Sequence, residues 1–488
     1  MATSPDRIHA VNARPMNVQG AYVLYWMIAA RRTRSNHALD HAIALAHQLH
    51  RPLVVFEPLR TGHPWASARI HRFVLDGMRA QRDALAVAGL TYYPYVEPHP
   101  GAGHGLLEAL SAQACAVVTD AFPAFFLPRM VRSAGARLPV QLVEVDSNGL
   151  VPLSASGRAF SRAHAFRRHV QKVARASLNS PPAPQPLRGL QLPRLASLPP
   201  ALLQRWPAAS DALLDDLDDA AFLALPIDHA VPPVPFTGGA DAAAQRLAAF
   251  VADQLPRYAD QRNHPDACAA SGLSPWLHFG HIGVHELLNA VFEREQWTPD
   301  RLSPLTTGQR HGFWNLSPEA EAFVDELVTW RELGYHFCHY NPHTYDTWQA
   351  VPSWARQTLD QHAGDPRPGP YTFEQLEAAQ TDDPLWNAAQ RQLRADGVIQ
   401  NYLRMLWGKN VLAWAATPEE AFAWMVQLNN RWAIDGRDPN SWTGILWTLG
   451  AFDRAWGPER PVFGKVRFMT SASTQRKLRM RQWLNQWS

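Results

Sequence analysis

Cysteine is scarce in this sequence: Cys115, Cys268 and Cys338 are all that 488 residues contain. Three scattered thiols exclude a disulfide framework and a four-cysteine cluster, and small apolar filler is the plain role for them. Long apolar runs are missing too. No stretch approaches the ~20 continuous apolar residues that cross a bilayer. Residues 1–20 are polar, without the apolar core of a secretory signal. A cytoplasmic protein with no membrane partner is expected. Charge is low as well, 18% of residues with a net of +3, which permits a local nucleic-acid face without requiring one. Among the 21 histidines there is no HExxH, so no metal site is expected. No GxGxxG follows the first strand-like run, so the dinucleotide fingerprint is lacking.

What is present is core material. Hydrophobic residues make up 46% of the chain, enough for two large or about three ordinary domains. Runs at 21–26 (AYVLYW), 52–56 (PLVVF), 116–120 (AVVTD) and 140–145 (VQLVEV) read as strands. Helical patterns at 39–49 and 68–88 alternate with them. This rhythm predicts an α/β domain with a doubly wound, Rossmann-like parallel sheet over 20–150. Residues 151–236 read as an interdomain linker, proline-rich from about 177, with Pro181, Pro182, Pro184, Pro186, Pro193, Pro199 and Pro200. A short helical piece is expected there around 211–225. From 237 to 488 the periodicity is helical, over 242–255, 283–295, 319–337, 383–395, 399–415 and 418–432, with a loop at 297–317. An all-helical C-terminal domain follows.

Tryptophan is abundant, with 19 residues. Bulk packing is the default role, and some spacings also suit stacking or electron transfer. The indoles recur inside ordered motifs: YADQRNHPDACAASGLSPWLHFG at 258–280, DELVTWRELGYHFCHYN at 325–341, DPLWNAAQ at 383–390, YLRMLWGKNVLAW at 402–414, LNNRWAIDGRDPN at 428–440 and WTLGAFDRAWGPERPVFGKVRF at 447–468. In this order and spacing they resemble the class II cyclobutane pyrimidine dimer photolyases of the photolyase/cryptochrome superfamily. The likeness covers about 240–470, and YWM at 25–27 fits it more weakly.

The resemblance implies FAD bound in the helical domain and damaged DNA as the partner of a monomeric enzyme. Tyr258, Ser271, Leu273 and Ser274 are the implied cofactor-binding positions of the first motif, with Tyr258 and Ser274 toward the flavin phosphates. A Ser before Pro at a helix start offers a hydroxyl and free N–H groups to an anion, and it is equally an ordinary cap. Asn429 resembles the residue facing flavin N5; its amide oxygen can accept from N5–H without imposing charge. Arg404 and Asp435 resemble the cation and carboxylate beside the ring, though a structural ion pair reads as well from the residues alone.

Glu326 and Trp330, four apart, share one helix face. The resemblance makes the acid a partner of the dimer's bases and the indole a wall against the lesion. Trp447 is the implied second wall and Met405 a pocket-lining residue. Trp386, Trp407 and Trp414 resemble the chain that photoreduces FAD. Trp407 and Trp414 stand two turns apart, about 10 Å along one face, a spacing that a buried aromatic stripe shares. Arg454 and Arg467 match arginines that fill the opening left by a flipped dimer, and Arg262 one near its phosphate. Arg476, Lys477, Arg479 and Arg481 add a basic tail, suited to a DNA backbone or simply to solvent.

Two stretches depart from the family pattern. IAARRTR at 28–34 replaces an Arg-Asp-containing run, which leaves open whether a second, antenna chromophore is held. VIQN at 398–401 replaces a Lys-Met-His-Gly stretch beside the flavin and lesion pocket. The expected activity is light-driven repair by electron transfer from reduced flavin to a flipped-out dimer, a carbon–carbon lyase reaction. The alternative is a cryptochrome-like blue-light photoreceptor that keeps FAD but not repair. A light-independent flavin oxidoreductase is disfavoured by the lack of any pyridine-nucleotide motif.

Overall fold

The computed structural model describes residues 3–216 and 220–488. Two compact units emerge: Met1–Gly157 with Val173–Ala248 and Leu273–Pro299, and Arg158–Lys172 with Ala249–Gly272 and Asp300–Ser488. They are not contiguous in sequence. The 273–299 segment belongs to the first unit, and 158–172 to the second.

In the first unit, six strands among the described residues form one sheet. They are β1 (Ile8–Ala10), β2 (Tyr22–Trp26), β3 (Leu53–Leu59), β4 (Thr91–Val96), β5 (Ala114–Ala121) and β6 (Leu142–Asp146), in the order β1-β6-β5-β2-β3-β4. Every neighbour pair is parallel except β1 with β6. The chain enters mid-sheet at β2, winds outward through β3 and β4, then returns to β5 on the other side. This is the doubly wound α/β architecture expected from the sequence.

Alternation along β2 explains why the sheet is buried on both sides. Tyr22, Leu24 and Trp26 join one core cluster, and Val23, Tyr25 and Met27 the other. The edge strands β1 and β4 escaped the sequence reading. β1 is three residues long, and Pro94 breaks the run of β4.

The expected helices form with caps in place. His37–Leu49 starts at Asn36, whose side chain accepts from the Ala38 and Leu39 N–H groups, and Ala68–Val87 starts at Ser67. Within 151–236 a 16-residue helix, Ala163–Leu178, forms as well. The helical piece around 211–225 is seen as Asp211–Asp215 and Ala220–Leu223; its residues 217–219 lie outside the described residues.

The 28–34 run sits at the switch point, beyond the C-terminal ends of β2 and β5. Asp120 accepts the N–H groups of Ile28, Ala29 and Ala30 at 2.8–3.0 Å and the Tyr25 hydroxyl at 2.7 Å. Arg31 pairs with Glu57 at 2.7 Å.

The second unit is helical. Its recurrent local feature is the π-helical turn, one at Phe250–Gln254 and one at Asp325–Trp330. The helix expected over 319–337 is therefore three pieces, with α-helix at Pro318–Val324 and Arg331–Tyr340 flanking the wider turn. Aromatic packing links the first turn to the helix that leads into the second. The ring of Phe323 lies 4.6 Å from Phe250 and 5.5 Å from Tyr258. Pro384–Asp396, Asn401–Trp414, Pro418–Trp432 and Pro439–Thr448 follow; the last was not anticipated. Among the described residues, no helix is long and apolar enough to cross a membrane.

Candidate functional site

Glu326 and Trp330 both lie in the second π turn, a local widening that often marks a functional position. Glu326 faces Arg262, with Oε1 3.7 Å from Nε. About a third of its side chain reaches solvent, yet the surrounding protein dehydrates the carboxyl. Burial raises its pKa, Arg262 opposes that rise, and Asp325 reinforces it. The Arg262 guanidinium lies 5.5 Å over the Tyr258 ring and donates to the Ala259 carbonyl at 2.5 Å. Burial, together with the Glu326 charge, pushes the Tyr258 phenol up, so it stays neutral. Thus Tyr258, Arg262 and Glu326 form one cluster.

Trp330 and Trp447 stack directly, with ring centroids 4.8 Å apart and planes 11° from parallel. Two separate walls were expected from the sequence. The structure makes them one half-exposed platform, with no space for a base between them. Gly334 permits this. A Cβ there would stand 2.9 Å from Asn440 Oδ1 and Thr443 Oγ1, so the glycine leaves room for these side chains where Arg331–Tyr340 packs on Pro439–Thr448. The Tyr335 hydroxyl, donating to Asp438 at 2.8 Å, ties down the start of the second helix.

Arg404 pairs with Asp435 at 3.1 Å, and Met405 follows it, half-buried, on the same helix. Asn429 is buried near the end of Pro418–Trp432. Its Nδ2 donates to Asn430 Oδ1 at 3.2 Å, while its Oδ1 makes no hydrogen bond among the described residues. Sequence reasoning passed over the residue that orders this corner, Arg437. Fully buried, it donates its own N–H to Asn430 Oδ1 at 2.9 Å and its guanidinium to the Asn430 and Ile434 carbonyls. The GRDPN string was a signal for it, but it reads as ordinary turn chemistry. The side-chain oxygen of Asn429, without a partner among the described residues, fits a flavin N–H donor, and the Arg404–Asp435 pair fits the polar edge of such a ring.

The three motif tryptophans come together in an unforeseen order. Trp386 lies between the others, stacked with Trp407 at 6.3 Å and edge-on to Trp414 at 5.3 Å. Its Nε1 donates to the Trp407 carbonyl, and Trp407 Nε1 to Gln390, both at 3.0 Å. Exposure grows from Trp386 (1%) and Trp407 (3%) to Trp414 (8%), beyond which the half-buried Tyr371 ring stands 5.1 Å away.

Arg454 and Arg467 both lie over the ring of Trp456, at 4.6 and 5.4 Å. Trp456 is 36% exposed and was not singled out from the sequence, although WGPER stands between the two arginines.

Ser271 falls in the second unit, while Leu273 and Ser274 fall in the first. Ser274 opens the helix Ser274–His278 but does not cap it, and its side chain is exposed.

No family model matches the chain. Curated relatives do, along most of their length. The deoxyribodipyrimidine photo-lyase of Methanothermobacter thermautotrophicus is 33% identical over 98% of this chain and 97% of its own. Those of Arabidopsis thaliana (32%; 99% and 93%) and Oryza sativa subsp. japonica (34%; 96% and 87%) are similarly related. Among solved structures, a bacterial class III photolyase from Agrobacterium tumefaciens shares the fold, with a TM-score of 0.64 at 17% identity, covering 96% of this chain and 87% of that one. One-third identity sustained from end to end, on the same architecture, leads to one conclusion: the chain belongs to the deoxyribodipyrimidine photo-lyase family.

Proposed function

We propose that this photolyase is of class II and repairs cyclobutane pyrimidine dimers in DNA, using light and a reduced FAD held in its helical unit. The observation that carries the reading is the stacked Trp330–Trp447 platform on the same π turn as a dehydrated acid, Glu326. A flipped-out pyrimidine pair is flat, apolar on its faces and polar on its edges. Indoles supply stacking, and an acid reads the edge.

Bound reduced FAD would supply the photoexcited electron that opens the dimer. The protein's own residues orient and insulate. Asn429 offers its free amide oxygen to the flavin ring, and Arg404 with Asp435 balances charge beside it. Trp407, Trp386 and Trp414 pack in that order, end on the most exposed ring of the three, and serve to recharge the flavin. Glu326 hydrogen-bonds the dimer's bases where negative charge develops, and Met405 lines the pocket. Arg262 holds a lesion phosphate. Trp456, bracketed by Arg454 and Arg467, presents a flat cationic surface to the space that the flipped bases leave.

The test is an oligonucleotide carrying one thymine dimer, mixed with photoreduced protein under blue light and in the dark. Light-dependent return of thymine absorbance, lost in Glu326→Ala, is expected. Trp386→Phe should leave repair by chemically reduced protein intact while removing most photoreduction. The changed VIQN stretch favours a second reading, a blue-light photoreceptor without repair. Normal photoreduction with no dimer bound or split would select it.

A further inference from the structure

We propose that Gln400 is a positioning residue, which holds Arg262 against Glu326 from the helix bearing Arg404, Met405 and Trp407. The inference rests on the repair reading of that acid and arginine.

Gln400 immediately precedes Asn401–Trp414, in extended conformation, and the two ends of its amide do different work. Oε1 accepts from the Leu403 N–H at 3.0 Å, capping the helix. Nε2 donates to the Arg262 carbonyl at 2.8 Å. A neutral side chain that accepts and donates at once is required. A carboxylate of the same length has no donor, and serine or asparagine caps well but is too short to span both contacts.

Arg262 is thereby held at both ends, its carbonyl by Gln400 and its guanidinium by the Ala259 carbonyl and the Tyr258 ring. Its contact with Glu326, at 3.7 Å, is near the limit of an ion pair. A small outward shift of the backbone at 262 would break it.

The consequence falls on the carboxyl. Burial and the adjacent Asp325 raise its pKa; Arg262 is the largest opposing influence, with Arg310 and Arg167 adding to it, and the neutral Tyr258 phenol lies alongside. An acid can donate a hydrogen bond to a base edge only when protonated and accepts one most strongly when ionised. By setting where Arg262 stands, Gln400 sets which form Glu326 takes.

The experiment compares wild type with Q400S and Q400N, which keep the cap and lose the link, and with Q400M, which loses both. The Glu326 carboxyl is titrated by difference infrared spectroscopy, its band assigned through E326Q. In all three Gln400 variants the titration should move upward by roughly half a pH unit. Q400S and Q400N should melt with wild type, and Q400M a few degrees lower. Affinity for dimer-containing DNA should fall about five-fold with undamaged DNA unaffected. An unshifted carboxyl in Q400S and Q400N would overturn the proposal. If wild type itself shows no preference for dimer DNA, the repair reading fails, and the titration still decides Gln400.

Discussion

Three buried acids of the α/β unit and Glu326 of the helical unit are treated differently by the fold. Asp120 takes four hydrogen bonds, three from backbone N–H groups and one from Tyr25. Glu57 is held by Arg31 and Tyr92, each at 2.7 Å. Glu97 receives Thr61 and Gly101 N–H groups at 3.1 and 2.9 Å. Among the described residues Glu326 has only a 3.7 Å contact with Arg262, and it keeps an opening to solvent. Two buried cations, Arg7 and Lys409, differ in the same way. Arg7, in the first unit, donates to the carbonyls of Asp146, Gly149 and Leu150, while Lys409, fully buried in the second, donates to Thr448 alone among the described residues, at 2.5 Å. Saturated groups fix loops. A group left with spare capacity is available to a ligand, at a cost in stability.

The comparison can be broken most severely at Asp120. Asp120→Ala leaves buried N–H groups unpartnered and should cost about 4 kcal/mol, read as a fall in the urea midpoint of the α/β unit. Lys409 probes the other unit. Burial pushes its pKa down to about 7 from 10.5. Between those values the unfolded chain binds the proton and the folded one does not, so stability rises with pH through that window and is lost as pH falls toward 7. The change should be roughly 3–5 kcal/mol, and Lys409→Met should abolish it. Denaturation at the two pH limits measures both.

Trp447→Ala removes half the platform. Dimer affinity should drop about 10- to 100-fold in a binding titration, since base stacking contributes roughly 1–3 kcal/mol, with little change in melting. The smallest effect is expected at Gly334→Ala. Its methyl must displace Asn440 and Thr443 side chains, costing about 1–2 kcal/mol. The rings of Trp330 and Trp447 should separate, and their coupled indole signal in circular dichroism should weaken.

Much of this was legible before any coordinates. The four inner strands were readable because each announces itself by short-range patterning, and the caps at Asn36 and Ser67 lie beside the helices they start. The π turn at 325–330 was not readable. Its residues have the same apolar spacing as an α-helix, and only packing of Phe323 against Phe250 and Tyr258 accompanies the wider turn. Arg437 was hidden for a related reason. An arginine in a turn normally points to water, and its burial becomes visible only once the carbonyls of Asn430 and Ile434 converge on it.

By itself the sequence determined an α/β part followed by a helical one and the photolyase family, and it named the candidate site residues as expectations. Periodicity and motif order are local properties, carried along the chain without reference to what touches what. Only the tertiary structure decided that Trp386 stands between Trp407 and Trp414, that Trp330 and Trp447 form one platform, and that Gln400 reaches Arg262. Each of these joins segments far apart in sequence. Which partners meet depends on how helices pack, and packing is set by side-chain shape, as at Gly334, rather than by spacing.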